Sequence, residues 1–408
     1  MSEVAIPSSW QTKALKDVAR WGSGGTPKGK NPAYYGGDIP WAIIGDLNDD
    51  IVFKTSETIT QFGLENSSAK LVPADSVLVA MYGSIGKLGI NAVPLTTNQA
   101  IAFAVPDRSL ITTKFLFLAL LNERSRLIRE GRGGTQQNIS QTILKPWKIP
   151  VPLLAEQKRI VEILEEQFSR LDAALASVRL VREKTVAFRL SLLEATFSPP
   201  HADSGWQKMK LSDVAKWSSG GTPKSKTPEY YGGNIPWAVS GDLNNSLVIE
   251  TTATITEAGL TKSSAKVVPE GTVLIAMYGA TIGKTGIASR PMATNQAIAT
   301  AVVNEKVVTN RFLQYFLMSQ KRLFTLAGQG MAQPNISQTI LKAWRIGVPS
   351  TEVQEGVVNR LGDQLEFVHR TLETIRLITL KLEAERRSML HAAFEGTLTK
   401  QWRETHHG

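Results

Sequence analysis

Residues 21–48 read WGSGGTPKGKNPAYYGGDIPWAIIGDLN, and residues 217–244 read WSSGGTPKSKTPEYYGGNIPWAVSGDLN. The offset between them is 196 residues; past one inserted residue near Ala280 it becomes 197 and persists, pairing Asn98 with Asn295, Asn138 with Asn335 and Phe197 with Phe394. Such a repeat is far longer than the roughly 20–50 residues of a solenoid unit and has the size of a complete domain. A chain that carries one domain twice in fixed order is expected to touch two similar things at a set distance.

Each repeat divides into two unlike halves. The first, 10–152 and 206–349, is rich in Gly, Pro, Thr and short β-branched runs. Residues 76–81 (SVLVAM) and 272–277 (TVLIAM) read as buried strands ending in a Gly turn, and 101–105 and 298–302 look similar. One helix is expected in each, over 113–130 and 309–327, where Leu and Phe fall at helical spacing behind a Thr suited to the N-cap. The second half is different material. Residues 155–197 contain no Gly and no Pro, and Pro199-Pro200 stop the segment. Val161, Leu164, Phe168, Leu171, Leu175 and Val178 alternate three and four apart, as do Val358, Leu361, Leu365, Val368, Leu372 and Ile375. That is a heptad seam, and Thr351 with Gln354 has the form of a capping box. Each seam implies a helix roughly 60 Å long, too long to bury its stripe alone. The expected fold is α+β: two similar globular mixed α/β domains at 1–152 and 200–349, separated by two long helices at 153–199 and 350–398, with a tail at 399–408. A linker of only 198–205 favours packing the helices as an antiparallel coiled coil, with the domains related by a pseudo-twofold axis.

The absence of cysteine excludes disulfides and thiolate metal sites. The N-terminal stretch lacks the apolar core of a signal peptide, and the longest apolar run, 115–121, is far short of a membrane span; a cytoplasmic protein with no membrane role is expected. The formal charge is +10, yet 156–197 is net 0 and 353–395 is net −1. The basic excess therefore lies in the globular halves, which suggests a polyanionic partner.

Several motifs invite catalysis without supporting it. YGATIGKT at 278–285 resembles a phosphate loop, but only three residues separate Gly279 from Gly283 where four are needed. NPAY at 31–34 lacks the second Pro of the adenine-methyltransferase motif and has no Gly-rich cofactor turn before it. Asp46 and Asp242 sit in GDLN, where an Asx turn is favoured. No catalytic residue or metal site is expected.

Other motifs suit nucleic acid. The GGTPKxK loops place Lys28 and Lys30, and Lys224 and Lys226, beside Tyr34 and Tyr230, a pairing able to contact phosphates and base edges; Tyr35 and Tyr231 are expected to pack inward. Lys87 and Lys284 lie on Gly-rich turns. The loops before the long helices carry Arg132, Gln136, Gln137 and Asn138 in one copy and Gln329, Gln333 and Asn335 in the other. Gln and Asn match adenine in the major groove and Arg matches guanine, although Asn-Ile-Ser is equally a good turn and cap.

Taken together and in order, these stretches resemble the DNA-specificity subunit of type I restriction–modification systems. The resemblance covers the whole chain: Trp10 and Trp206 with LKDVA/LSDVA, GGTP and YYGG followed by IPW, the AMYG turn, TNQA, and the NISQTILK run with the helix after it. It implies two target-recognition domains, each reading half of a split site in double-stranded DNA, and a helical rod that sets the number of unread bases. It implies a non-catalytic chain without cofactors of its own that holds two adenine methyltransferase subunits, which bind S-adenosylmethionine, and two restriction subunits, which use ATP and magnesium. The second copy departs from the pattern with Gly356 and Gly362, expected to loosen its helix start, and with Val353 in place of Glu156. Because the copies are near-duplicates, an interrupted inverted repeat is the expected target. A stand-alone DNA-binding or scaffold protein is the alternative.

Overall fold

A computed structural model describes residues 6–29, 31–131, 138–198, 205–328 and 335–406. Contacts divide the chain at 178/179 and 376/377, so that Met1–Val178 with Leu377–Gly408 forms one unit and Arg179–Arg376 the other. Both divisions fall inside the long helices, which run unbroken over Leu154–Phe197 and Thr351–Phe394. Gly356 and Gly362 thus do not interrupt the second helix as the sequence suggested. Intrahelical bonds carry the backbone through them, and neither meets more than one neighbour within reach of an added Cβ.

In the first unit the central sheet has five strands, β1 (Ala19–Ser23), β2 (Asp50–Val52), β3 (Val77–Ala80), β4 (Leu88–Asn91) and β5 (Ile101–Pro106), in the order β1-β5-β3-β4-β2. All pairs are antiparallel except β4 with β2. The strand β3 is buried on both faces because its residues serve two cores by alternation. Val77 and Val79 pack under Phe115 and Leu116, while Leu78 and Ala80 pack against Leu47, Val52 and Leu95. A three-stranded sheet of Glu57–Ile59, Tyr35–Ala42 and Thr96–Thr97 adjoins it, and Gln11–Ala14 pairs with Lys148–Val151. The second unit repeats this plan, with Val273–Ala276 central in Ala215–Ser219, Ile298–Val303, Val273–Ala276, Thr285–Ala288 and Ser246–Val248.

Each expected helix is two helices. Thr113–Asn122 and Arg124–Glu130 break at Glu123 (ψ 4°), and Asn310–Ser319 and Lys321–Ala327 break at Gln320 (ψ 0°). The break lays the second piece on the glycine turn below it: a Cβ on Gly86 would lie 3.3 Å from Arg124 Cγ, and one on Gly283 2.9 Å from Lys321 Cγ. Thr112 and Thr309 cap the first pieces, each accepting from a backbone N–H at 3.3 Å.

The capping box at Thr351 does not form. Ser350 caps the second long helix instead, and Gln354 is fully buried as a pin. Its Oε1 accepts from Thr309 N at 2.9 Å and its Nε2 donates to Val307 O and Pro349 O at 2.8 and 3.0 Å. Gln157 makes the same three bonds to Thr112 N, Leu110 O and Pro152 O. These glutamines fix each helix start to its own domain.

Of the seam residues, Val161, Leu164, Phe168, Leu171, Leu361, Val368 and Ile375 are buried, while Leu175, Val178, Val358, Leu365 and Leu372 are half-buried. Within the first unit the helix pairing is antiparallel: Asp172 pairs with Arg386, while Glu156, sixteen positions earlier, meets Thr399 and Arg403 beyond the end of the second helix. Val161, Leu164, Phe168 and Leu171 share their core with Phe115 and Leu118 of the domain as well as Leu390 and Phe394 of the second helix. The seam therefore serves the domain as much as the helix pair. In the second unit Leu193 shares a core with Val357 and Leu361. The segment after residue 398, read from sequence as a tail, contains a helix over Lys400–His406.

Candidate nucleic-acid interface

Four sequence motifs spread over residues 24–140 meet in a row. Gly24 N and Gly25 N of the GGTP loop donate to Ile101 O (3.2 Å) and Thr97 O (2.8 Å) around the TNQA turn. Met81 N of the AMYG turn donates to Ala100 O (2.8 Å), and Ile139 N of the Asn-Ile-Ser loop donates to Met81 O (3.0 Å). The second unit repeats every bond: Gly220 N to Ile298 O, Gly221 N to Thr294 O, Met277 N to Ala297 O, and Ile336 N to Met277 O. The glycines are required by closeness, since a Cβ on Gly24 or Gly220 would fall 2.0 or 2.1 Å from a threonine carbonyl oxygen. Thr26 bonds Gln99 and Thr222 bonds Gln296, adding side-chain links between the first two motifs.

The aromatic cluster beneath holds the lysine loops. Trp41 Nε1 donates to Gly25 O (3.1 Å) and the Tyr35 hydroxyl to Pro27 O (3.1 Å); Trp237 and Tyr231 do the same to Gly221 O (3.0 Å) and Pro223 O (2.7 Å). Tyr35 and Tyr231 are thus inward, structural tyrosines. Lys28, Lys224 and Lys226 are exposed on the anchored loops, whereas Lys30 lies outside the described residues. Tyr34 and Tyr230 are half-buried, Tyr34 with its ring 5.4 Å from that of Phe62, so each offers one face at most.

Asn138 and Asn335 pair through their backbones with Tyr82 and Tyr278. Asn138 is exposed and Asn335 half-buried. The neighbouring Ile139 and Ile336 are buried anchors, and Ser140 and Ser337 cap the following helices at 3.4 and 3.2 Å. Arg132, Gln136, Gln137, Gln329 and Gln333 lie outside the described residues. Lys87 and Lys284 are half-buried at the foot of the AMYG turns, where Lys87 O and Lys284 O accept from Ala80 N and Ala276 N.

Sequence reasoning passed over Tyr82 and Tyr278, which stand 43% and 40% exposed in the middle of the row. Each precedes a glycine of positive φ (Gly83 and Gly279, both at +62°), and no local sequence pattern marks the ring as exposed. Such rings suit stacking or phosphate contact. Asp46 and Asp242 are turn formers, accepting from Ile43 N and Val239 N at 2.8 Å each and from Ser56 N and Thr252 N. Among the described residues no group of His, Asp or Glu could hold a metal, and no helix is long and apolar enough to cross a membrane.

Exposed lysine loops and tyrosine turns thus recur on two copies of one α/β scaffold, which places the chain in the class of two-domain proteins built by duplication. Residues 7–176 and 203–378 each match the model of the type I restriction modification DNA specificity domain, and the chain belongs to that family. It is 24% identical to the type I restriction enzyme MjaIX specificity subunit of Methanocaldococcus jannaschii over 332 residues, 76% of each chain. Over 161 residues, 38% of this chain and 40% of the relative, it is 34% identical to the EcoR124I/EcoR124II specificity subunit of Escherichia coli. In fold it is similar to a chain solved for the structural basis of complex assembly and conformational transition of the type I R-M system, with a TM-score of 0.78 at 20% identity, covering 96% of this chain and 99% of that one. The HsdS subunit from Thermoanaerobacter tengcongensis gives 0.55 at 20% identity, covering 97% and 99%.

Proposed function

We propose that this chain is the non-catalytic DNA-reading subunit of a type I restriction–modification complex, with each unit reading one half of a bipartite site. The observation that carries this reading is the row of four motifs, stitched by the same backbone bonds in both units, which gathers exposed Lys28 and Tyr82, or Lys224 and Tyr278, about one rim of each domain. Lysines there hold phosphates and fix register, and Asn138, Asn335 and the glutamines of the neighbouring loops read base edges. Near-identity of the two rims favours half-sites that are near mirror partners. The long helices set the spacing between half-sites and scaffold two methyltransferase and two restriction subunits. In this reading S-adenosylmethionine, ATP and magnesium are bound by those partners, and the chain works in the cytoplasm beside the DNA.

The test is reconstitution. The chain alone should bind duplex DNA with strong salt dependence and transfer no methyl group; with a copurifying methyltransferase subunit it should direct adenine methylation to one sequence. Methylation by the isolated chain would make it an enzyme, and DNA binding without any methyltransferase partner would make it a stand-alone binder.

A further inference from the structure

Both units have cavities between the domain and the adjoining stretches of the long helices, and the two units differ in how the cations there are balanced. In the first unit, three cations line it and each has its acid. Lys114 pairs with Glu165 at 2.5 Å, Arg124 with Asp49, and Arg386 with Asp172 while lying over the Phe168 ring at 4.4 Å. By the repeat offset the second unit keeps all three cations, as Arg311, Lys321 and Arg189, and loses all three acids, as Gly362, Asn245 and His369. Asn245 keeps the backbone role of Asp49, its Oδ1 accepting from Thr285 N at 3.0 Å as Asp49 accepts from Leu88 N at 3.0 Å, but not the charge.

Around Lys321 this leaves a cavity of about 370 Å³ whose walls are largely apolar (Leu190, Leu193, Met318, Leu326) and whose charged groups are Arg189, Lys321, Arg322 and Glu194. Its one carboxylate, Glu194, is taken by Arg322 at 3.4 Å. Arg189 also lines the adjoining cavity, with Arg311, Asp363 and Glu366; there Glu366 pairs with Arg370 at 3.3 Å. Among the described residues, neither Lys321 nor Arg189 makes an ion pair. Burial, and then the charges of Arg189 and Lys284, hold the Lys321 ammonium below its ordinary pKa. Half-buried cations facing one another without a direct ion-pair partner are costly, and an entering anion lowers that cost. The cavity reaches Gly283, next to Lys284 at the foot of the Tyr278 turn.

We infer that Lys321 and Arg189 form a phosphate site in the second unit, filled by a backbone phosphate of the DNA held on the adjoining Tyr278 turn, and that the first unit, neutralised by Asp49 and Asp172, has no counterpart. The inference rests on the DNA-reading function proposed above. It makes the two half-sites unequal in electrostatics although their readers are near-duplicates.

The experiment is the salt dependence of duplex binding by the full chain. Each phosphate neutralised contributes about 0.9 to the slope of log K against log salt. Asn245→Asp, which restores the acid without removing a cation, should flatten the slope by about 0.9, as should Lys321→Gln. Asp49→Asn, which frees Arg124, should steepen it by up to the same amount. An unchanged slope for both Asn245→Asp and Lys321→Gln, while Lys224→Gln flattens it, would overturn the phosphate site and leave the DNA reading standing. Absence of duplex binding by the unmodified chain would remove both.

Discussion

The starts of the two long helices are the same structure closed in two ways. Both are pinned by a buried glutamine, Gln157 or Gln354. One position earlier they diverge. Glu156 is buried at the first start, its Oε2 accepting from Trp10 Nε1 at 2.9 Å and its Oε1 from Thr399 Oγ1 at 2.7 Å and Arg403 Nε at 3.0 Å. Arg403 also donates to Gly396 O at 2.6 Å, within a turn that Gly396 makes at φ +76° with Pro7 packed against it. At the second start Val353 is 45% exposed, and beside it Trp206, Val357 and Phe188 line an open cavity of about 550 Å³. The difference follows from what the chain has available: the segment after the second helix folds back as a clasp on the first unit, whereas the segment after the first helix must lead on to the next domain. A duplicated domain can thus keep its readers alike and let its closures differ.

The largest expected effect breaks the clasp. Arg403→Ala leaves the Glu156 carboxylate buried without its cation and should cost about 3–5 kcal/mol in urea unfolding of the first unit, with the second unit's transition unmoved. Next come the shared pins. Gln157→Leu and Gln354→Leu each strand a half-buried threonine N–H and two carbonyls, and each should cost about 1–3 kcal/mol. Near-equal costs would confirm that the pins are common to both copies; a large inequality would extend the asymmetry beyond the clasp. At the readers, Tyr82→Ala and Tyr278→Ala should each weaken duplex binding by about 1–3 kcal/mol in a titration if the rings stack on bases, with little loss of stability because the rings are exposed. Lys28→Gln and Lys224→Gln should each flatten the salt slope by about 0.9. The smallest effect is Val353→Glu, which places the first unit's acid at an exposed site without an Arg403 and should change stability by less than about 0.5 kcal/mol.

Much of this was legible in the repeat. Val77–Ala80 and Val273–Ala276 declare themselves by unbroken β-branched and apolar runs, and the Gly-free, Pro-free stretch before Pro199 declares a long helix. Local periodicity could not reveal the breaks at Glu123 and Gln320, because helix-forming residues run straight through them and the turn is set by the glycine loops they pack on. Nor could it distinguish a capping glutamine from a pin: Gln354 has the right spacing from Thr351, but its partners at 307–309 are distant in sequence. The inward Tyr35 and Tyr231 were readable from the Gly-Gly that follows them. Tyr82 and Tyr278 were not, since their exposure depends on the Asn-Ile-Ser loop being drawn to the same turn.

Two near-identical readers on one chain are proposed above to address half-sites that are near mirror partners. Mapping methylated adenines across a genome that carries this chain and its methyltransferase, against the same genome with the chain deleted, tests it most directly. Methylation lost on deletion is expected to fall on one interrupted, nearly inverted-repeat sequence; two unrelated half-sites would overturn the pairing of the readers.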